Sequence, residues 1–330
     1  MESLDLRVLT DALHWKTEGR GVTLVTVVET WGSAPRPAGA MLAVRDDGVV
    51  SGSVSGGCVE DDLIARIKSG ERSGDKPSMI AYGVTKDEAA RFGLPCGGTL
   101  RLVQEPLIDT AWVIELLMRT SRHELVARTL TLATGHVMLS VASREQAMLF
   151  DGLSLTTMFG PKWRLLLIGA GQLSQAVAQV AQMLDFEVLV CDPREEYAQT
   201  LQMKNVTRVS GMPDDVVRDM QADAHTAIVA LTHDSKLDDM ALMEALKSDA
   251  FYVGALGSRR NQATRKARLI EHFEMTDADF SKLHGPVGLA LGAKTPAEIA
   301  VSIIAQIVQV KNQNKITTDL QATPVNACEA

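Results

Sequence analysis

WRLLLIGAGQLSQAVAQVAQMLDFEVLVCD, residues Trp163 to Asp192, is the stretch that decides the fold of this 330-residue chain. Leu165, Leu166, Leu167 and Ile168 form a short apolar run closed by glycine, which is how a strand buried on both faces reads. Gly169-Ala170-Gly171 then turns the chain. Leu173, Val177, Val180 and Leu184 recur at helical spacing and predict an amphipathic helix. A second apolar run, Val188-Leu189-Val190, ends at Asp192, roughly twenty residues past the glycines. Strand, Gly-x-Gly turn, helix, strand and acid make the first βαβ unit of a doubly wound, dinucleotide-binding fold.

The chemistry of that pattern is specific. Gly169 and Gly171 allow a pyrophosphate to approach the backbone where the helix N-terminus offers free N–H groups. Asp192, at the end of the second strand, is placed to accept from ribose hydroxyls. Ser174 stands where the full fingerprint has its third glycine, so the stretch specifies the fold and leaves NAD binding open. The alternative is a doubly wound domain that holds no NAD.

The alternation continues downstream. A strand over 227–231 runs into Thr232-His233-Asp234, and a helix over 236–246 follows. A strand over 251–253 enters Gly254-Ala255-Leu256-Gly257-Ser258-Arg259-Arg260, then another helix to Phe273. Ligands of open α/β sheets lie beyond the carboxyl ends of the strands, which makes Ser258, Arg259 and Arg260 candidates for phosphate contact. A solvated basic turn is the other reading. His233 is assigned a strand-end hydrogen-bonding role, because no nucleophile pairs with it. His284 to Gly288 forms a further glycine-rich loop, and Thr295-Pro296-Ala297-Glu298 opens a last apolar helix to about Val310.

The first half is different in kind. An amphipathic opening helix precedes a β-branched strand over 21–30, a Gly/Pro-dense loop over 31–39, and a hairpin over 41–50. Ser51-Gly52-Ser53-Val54-Ser55-Gly56-Gly57-Cys58-Val59-Glu60 follows, directly before a helix over 61–68. Its small residues expose successive N–H groups, as an anion-binding turn does, and Cys58 falls at the helix N-terminus. A flexible loop whose cysteine merely packs is the competing reading. Leu94-Pro95-Cys96-Gly97-Gly98-Thr99 sets a second cysteine against paired glycines, before a strand over 100–103. Gly56-Gly57-Cys58 and Cys96-Gly97-Gly98 mirror each other, and glycine pairs clear space around a sulfur. Two such thiols at one site would suit a soft metal or a sulfur-bearing ligand. An apolar helix over 107–118 and strands over 124–132 and 136–141 complete this half.

Composition bounds the rest. Hydrophobic residues make up 46% and charged residues 22%, enough for a sizeable core, and the length suits about two domains. A net charge of −8 without a basic stripe argues against nucleic acid as a partner. The acidic opening lacks the basic start of a signal peptide, and no apolar run is long enough to span a bilayer. Cys58, Cys96, Cys191 and Cys328 are too dispersed for a disulfide framework. A cytoplasmic protein without membrane contact is expected, with domains over 1–160 and 161–312 and a tail over 313–330 bearing an incidental Cys328.

Taken together, the chain resembles the XdhC/CoxI family of molybdenum-cofactor chaperones. The matching stretches are GSAPRPAGAML from Gly32, GSVSGGCVE from Gly52, LPCGGTL from Leu94, IGAGQLSQAVA from Ile168, YVGALGSRR from Tyr252 and HGPVGLALGAKTPAEIA from His284. The resemblance implies an N-terminal mixed α+β domain bearing the cysteines, then a C-terminal Rossmann-like domain with a doubly wound parallel sheet. It implies a cofactor-binding chaperone rather than an enzyme. Such a protein holds molybdenum cofactor, as molybdopterin or its cytosine dinucleotide, supports its sulfuration, and inserts it into an apo-subunit of the xanthine dehydrogenase or aldehyde oxidoreductase class. Cys58 and Cys96 match the family's motif cysteines and become candidates for contact with molybdenum or its sulfido ligand. A cysteine desulfurase, a molybdopterin nucleotidyltransferase and a second copy of the chain are the implied partners. The competing readings are an NAD(P)-dependent oxidoreductase, which leaves the first domain without a purpose, and a small-ligand sensor with a degenerate Rossmann domain.

Overall fold

The computed structural model describes residues 3–30, 36–70, 75–83, 99–143, 146–198 and 203–322, and the side chains of these up to 312. The chain divides into two compact units, Met1–Lys162 and Trp163–Ala330.

The first unit runs α1 (Ser3–Thr17), β1 (Val22–Thr30), β2 (Met41–Arg45), β3 (Val50–Gly52), α2 (Cys58–Lys68), β4 (Ser78–Tyr82) and β5 (Leu100–Pro106). It continues with α3 (Ala111–Ser121), β6 (Val126–Thr131), β7 (Val137–Val141), β8 (Leu149–Phe150) and β9 (Ser154–Phe159). These strands form a five-stranded sheet, β3-β2-β1-β5-β4, and a four-stranded one, β7-β6-β9-β8, both antiparallel throughout. The β-branched run of β1 is explained by burial on both faces. Val22 and Leu24 pack with α1 and α3, while Val25 and Val27 pack with Val59, Leu63 and Ile67 of α2. Val28, Val103, Leu130 and Leu155 join the two sheets. In the same layer a fully buried Arg128 reaches Glu105 at 2.5 Å and lies 4.1 Å over the Trp112 ring.

The expected hairpin is present as β2 and β3. The helix expected over 107–118 starts later, at Ala111, because Leu107 is buried and continues the β5 pairing with β1 through Val22, and Asp109 accepts the Ala111 N–H at 2.9 Å. Strands β4, β8 and β9 had no counterpart in the sequence pattern.

The second unit alternates strand and helix: β10 (Arg164–Ile168), α4 (Gln172–Met183), β11 (Glu187–Cys191), α5 (Glu195–Ala198), β12 (Val206–Val209), α6 (Pro213–Asp219) and β13 (Thr226–Ala230). There follow α7 (Ser235–Lys247), β14 (Tyr252–Ala255), α8 (Arg259–Phe273), β15 (Leu283–His284) and α9 (Pro296–Ala322). One six-stranded parallel sheet results, in the order β12-β11-β10-β13-β14-β15. Leu165 and Leu167 enter a core with α4 and α9; Leu166 and Ile168 enter another with α7 and α8. Both faces of β10 are covered, hence its unbroken apolar run. The strand order reverses between β10 and β13, where doubly wound folds bind ligands. α9 continues to Ala322, well past 310 and into the stretch expected as a tail, since 311–322 holds no glycine or proline to stop it. Cys328 lies outside the described residues. Among the described residues, no helix is long and apolar enough to cross a membrane.

Candidate functional site

In the first unit, the turn between β3 and α2 is wrapped around a carboxylate of the chain itself. Glu60, in the first turn of α2, accepts the backbone N–H groups of Val54, Ser55 and Gly56 at 2.8–2.9 Å on Oε1 and that of Gly57 at 2.8 Å on Oε2. The Ser53 hydroxyl donates at 2.8 Å and the Ser55 hydroxyl makes a close contact. Gly56 sits at φ +92°, a left-handed conformation that suits glycine and lets the turn close on the carboxylate. Partial burial would raise the Glu60 pKa, but the donors from Ser55, Gly56 and Gly57 outweigh it and bring it to about 2, from 4.5. These N–H groups were expected to face a ligand. Their acceptor is instead an internal one, so the turn is no phosphate cradle.

What the turn presents is Cys58. It is the first residue of α2, a free thiol, and exposed, whereas Val59 and Leu63 beside it are buried against β2. The competing reading, a cysteine that merely packs, does not hold: the core takes Val59 and leaves Cys58 outside. A Cβ added to Gly57 would meet nothing within 4 Å among the described residues. Cys96, Gly97 and Gly98 lie outside the described residues. Among the described residues, no group of three or more His, Cys, Asp or Glu side chains is placed to hold a metal ion.

In the second unit, the predicted residues Gly169, Gly171 and Asp192 do come together. Gly169 has φ +107°, and a Cβ there would stand 3.2 Å from the Thr232 backbone, so glycine is what lets the β10 and β13 loops touch. Gly171 is the cap residue of α4 and offers no side chain to it, which leaves first-turn N–H groups for an anion. Ser174, at the third-glycine position, is buried.

Asp192 behaves otherwise than expected. Oδ2 accepts the Ala170 N–H at 2.9 Å and Nη2 of Arg194 at 2.8 Å, and Oδ1 accepts Arg194 N–H at 3.1 Å and Nε at 2.9 Å. A carboxylate offers about four acceptor positions, and four donors fill them. Burial raises its pKa, yet Arg194 and Ala170 prevail and hold it below the ordinary value. The Arg194 guanidinium in turn lies 4.2 Å over Tyr197. The acid that should read a ribose is therefore closed onto the glycine turn, and an arginine stands beside it.

Beyond β13 and β14 lies a cleft of about 210 Å3 lined by His233, Ser235, Gly257, Arg260, Asn261 and Arg268, among others. Its floor is ionic: Arg265 bonds Asp238 and Asp239 at 3.1 Å, and Arg268 Nε reaches Asp239 at 2.7 Å. Burial holds the Asp238 carboxyl above its ordinary value, in spite of hydrogen bonds from Thr232 and the nearby Arg265 charge. Ser258 acts as the cap of α8, its oxygen accepting the Asn261 N–H at 3.2 Å. Arg259 and Arg260 are exposed and have no carboxylate partner among the described residues, and Arg260 lines the cleft. His233 sits at φ +62° with an exposed side chain, and the strand-end bonds assigned to it belong to Thr232, whose hydroxyl reaches Asp238 at 2.7 Å.

Two features went unassigned in the sequence. Glu60 stands three residues after the helix cap, the spacing of a capping box, but the cap is Gly57, which has no side chain, so only half of that signature is written in the sequence. Arg194 carries no such signal.

Comparison with known proteins agrees with this division. The description "XdhC and CoxI family" matches residues 15–83, which include Cys58 and Glu60, and "XdhC Rossmann domain" matches residues 165–307. The chain is 29% identical over 308 residues to the molybdenum cofactor insertion chaperone PaoD of Escherichia coli, spanning 92% of this chain and 88% of that protein. It is 29% identical over 320 residues to a Bacillus subtilis protein described as a probable xanthine dehydrogenase subunit, spanning 88% and 93%. A crystal structure of a xanthine dehydrogenase from Bacillus halodurans shares the fold, with a TM-score of 0.75 over 98% of each chain at 24% identity. With the Cys58 turn and the Rossmann sheet matched in order along the sequence, the chain belongs to the XdhC/CoxI family.

Proposed function

We propose that this protein is a carrier that binds molybdenum cofactor and inserts it into a partner molybdoenzyme of the xanthine dehydrogenase class. The observation that carries the reading is Cys58, an exposed thiol at a helix start, on a turn held by its own glutamate. A thiolate is a soft ligand suited to molybdenum and its sulfur. The name of the Escherichia coli relative supports the same role. We read the protein as a carrier, not a catalyst. The second unit supports a nucleotide-bearing cargo, because uncapped N–H groups at Gly171 and the free charges of Arg259 and Arg260 suit phosphate oxygens. In its finer form the cargo is molybdopterin or its cytosine dinucleotide, sulfurated while held with sulfur from a cysteine desulfurase, and the carrier is a cytoplasmic homodimer. The nicotinamide reading is disfavoured by Asp192, whose acceptor positions are spent on Ala170 and Arg194.

The test is activation of a partner apo-molybdoenzyme by the full-length chain. A Cys58→Ala, Cys96→Ala double variant should fold and yet fail to activate. Full activation by that variant would remove the thiols from the function.

A further inference from the structure

We propose that Glu60 is the positioning residue of the Cys58 thiol: its carboxylate, gripped by the turn that precedes Cys58, fixes where the sulfur meets the cargo. The proposal rests on the reading of Cys58 as the cargo-binding thiol and adds what makes that thiol competent.

The turn by itself has little to hold it. Ser53-Val54-Ser55-Gly56-Gly57 has small side chains and two adjacent glycines, and such a segment loses much conformational freedom when it is ordered. Val54 and Ser55 are buried, but Gly56 and Gly57 are exposed and make no side-chain contacts of their own. The ordering force is the Glu60 carboxylate, which collects four backbone N–H groups and two hydroxyls from these five residues. Charge-assisted bonds of this kind are about twice as strong as neutral ones.

The geometry then singles out Cys58. Glu60 lies two residues after it and bonds the N–H of Gly57 immediately before it, so one carboxylate ties the turn that precedes the thiol to the first turn of the helix that carries it. Val59 and Leu63, fully or nearly fully buried, keep α2 from turning the thiol inward. Among the described residues, none stands within 4 Å of where a Gly57 Cβ would lie, on the side from which a bulky group would reach the thiol. An internal anion in a turn shaped like an anion site therefore has a positive use: it rigidifies a loop whose task is to present a sulfur. A catching group a single ångström out of place binds poorly, and rigid support prevents that displacement.

The experiment compares wild type with Glu60→Gln, Gly56→Ala and Cys58→Ala in the full-length chain. Glu60→Gln keeps the size but turns one acceptor into a donor facing the turn. Gly56→Ala strains the same turn from the other side, at φ +92°, and serves if Glu60→Gln fails to fold. Three readouts are taken. Hydrogen exchange is followed on peptides covering 53–57, retention on molybdenum cofactor freshly released from a molybdoenzyme, and iodoacetamide labelling on the Cys58 peptide. The expected result for Glu60→Gln is an intact fold, faster exchange over 53–57, labelling of Cys58 within a few-fold of wild type, and cofactor retention weakened about tenfold or more. Gly56→Ala should do the same. Retention at the wild-type level in folded Glu60→Gln, with Cys58→Ala losing the cofactor, would overturn the positioning role and spare the thiol. Loss of retention without faster exchange would also overturn it. Retention by Cys58→Ala would instead defeat the reading on which the proposal rests.

Discussion

At the scale of single residues, two carboxylates expected to face ligands are turned inward. Glu60 fills a turn that reads as an anion site, and Asp192 is closed by Arg194 onto the glycine loop. Both are held as ions by donors that a ligand would have to displace. For Glu60 this has a consequence in pH. Its pKa is about 2 when folded and near 4.5 in an unconstrained chain, so its stabilising contribution is complete above 4.5 and is lost as the pH falls through 2. Glu60→Gln should thus be less stable than wild type at neutral pH, and the gap should narrow steadily below pH 4.5. Urea midpoints of the two proteins across that range measure it. A gap independent of pH would show that the carboxylate is not held in its ionised form by the turn.

At the scale of elements, the second unit depends on the contact between the β10–α4 and β13–α7 loops. Gly169 makes that contact possible, with φ +107° and the Thr232 backbone 3.2 Å from where a Cβ would lie. Gly169→Ala combines left-handed strain with a clash against backbone, and should cost about 1–3 kcal/mol. Calorimetric or denaturant melting would show it as a lowered midpoint, together with weaker binding of any phosphate ligand at the head of α4. An unchanged midpoint would mean that the two loops are not packed as described. Element by element, the sheet was readable where physics writes it twice. β10 and β13 are covered on both faces and so appear as apolar runs, whereas β12, at the sheet edge, has no buried residue and left no trace in the pattern. β4 alternates exposed and half-buried positions over only five residues and buries Tyr82 alone, too short a signal beside a loop rich in charge.

At the scale of the whole molecule, sequence reading reached the two-part architecture and the family because motif order survives where overall identity is low. The roles of individual site residues were less accessible. Gly169, Gly171 and Asp192 could be placed together from the spacing of one βαβ unit, since chain connectivity alone enforces that contact. What Asp192 then bonds depends on Arg194 folding back over Tyr197, a matter of side-chain geometry that no spacing encodes. In the same way, Cys58 was recognisable as a candidate from its glycines, but its exposure is decided by Val59 and Leu63 entering the core instead. In the proposed function this chain holds molybdenum cofactor through its first-unit thiols. The most direct test is to add freshly released molybdenum cofactor to the purified full-length protein and separate bound from free. Molybdenum, pterin and cytosine nucleotide are then quantified in the protein fraction for wild type and for the Cys58→Ala, Cys96→Ala variant. Stoichiometric retention by wild type and its loss in the variant are expected. Equal retention by both would contradict the thiol site, and retention by neither would contradict the carrier itself.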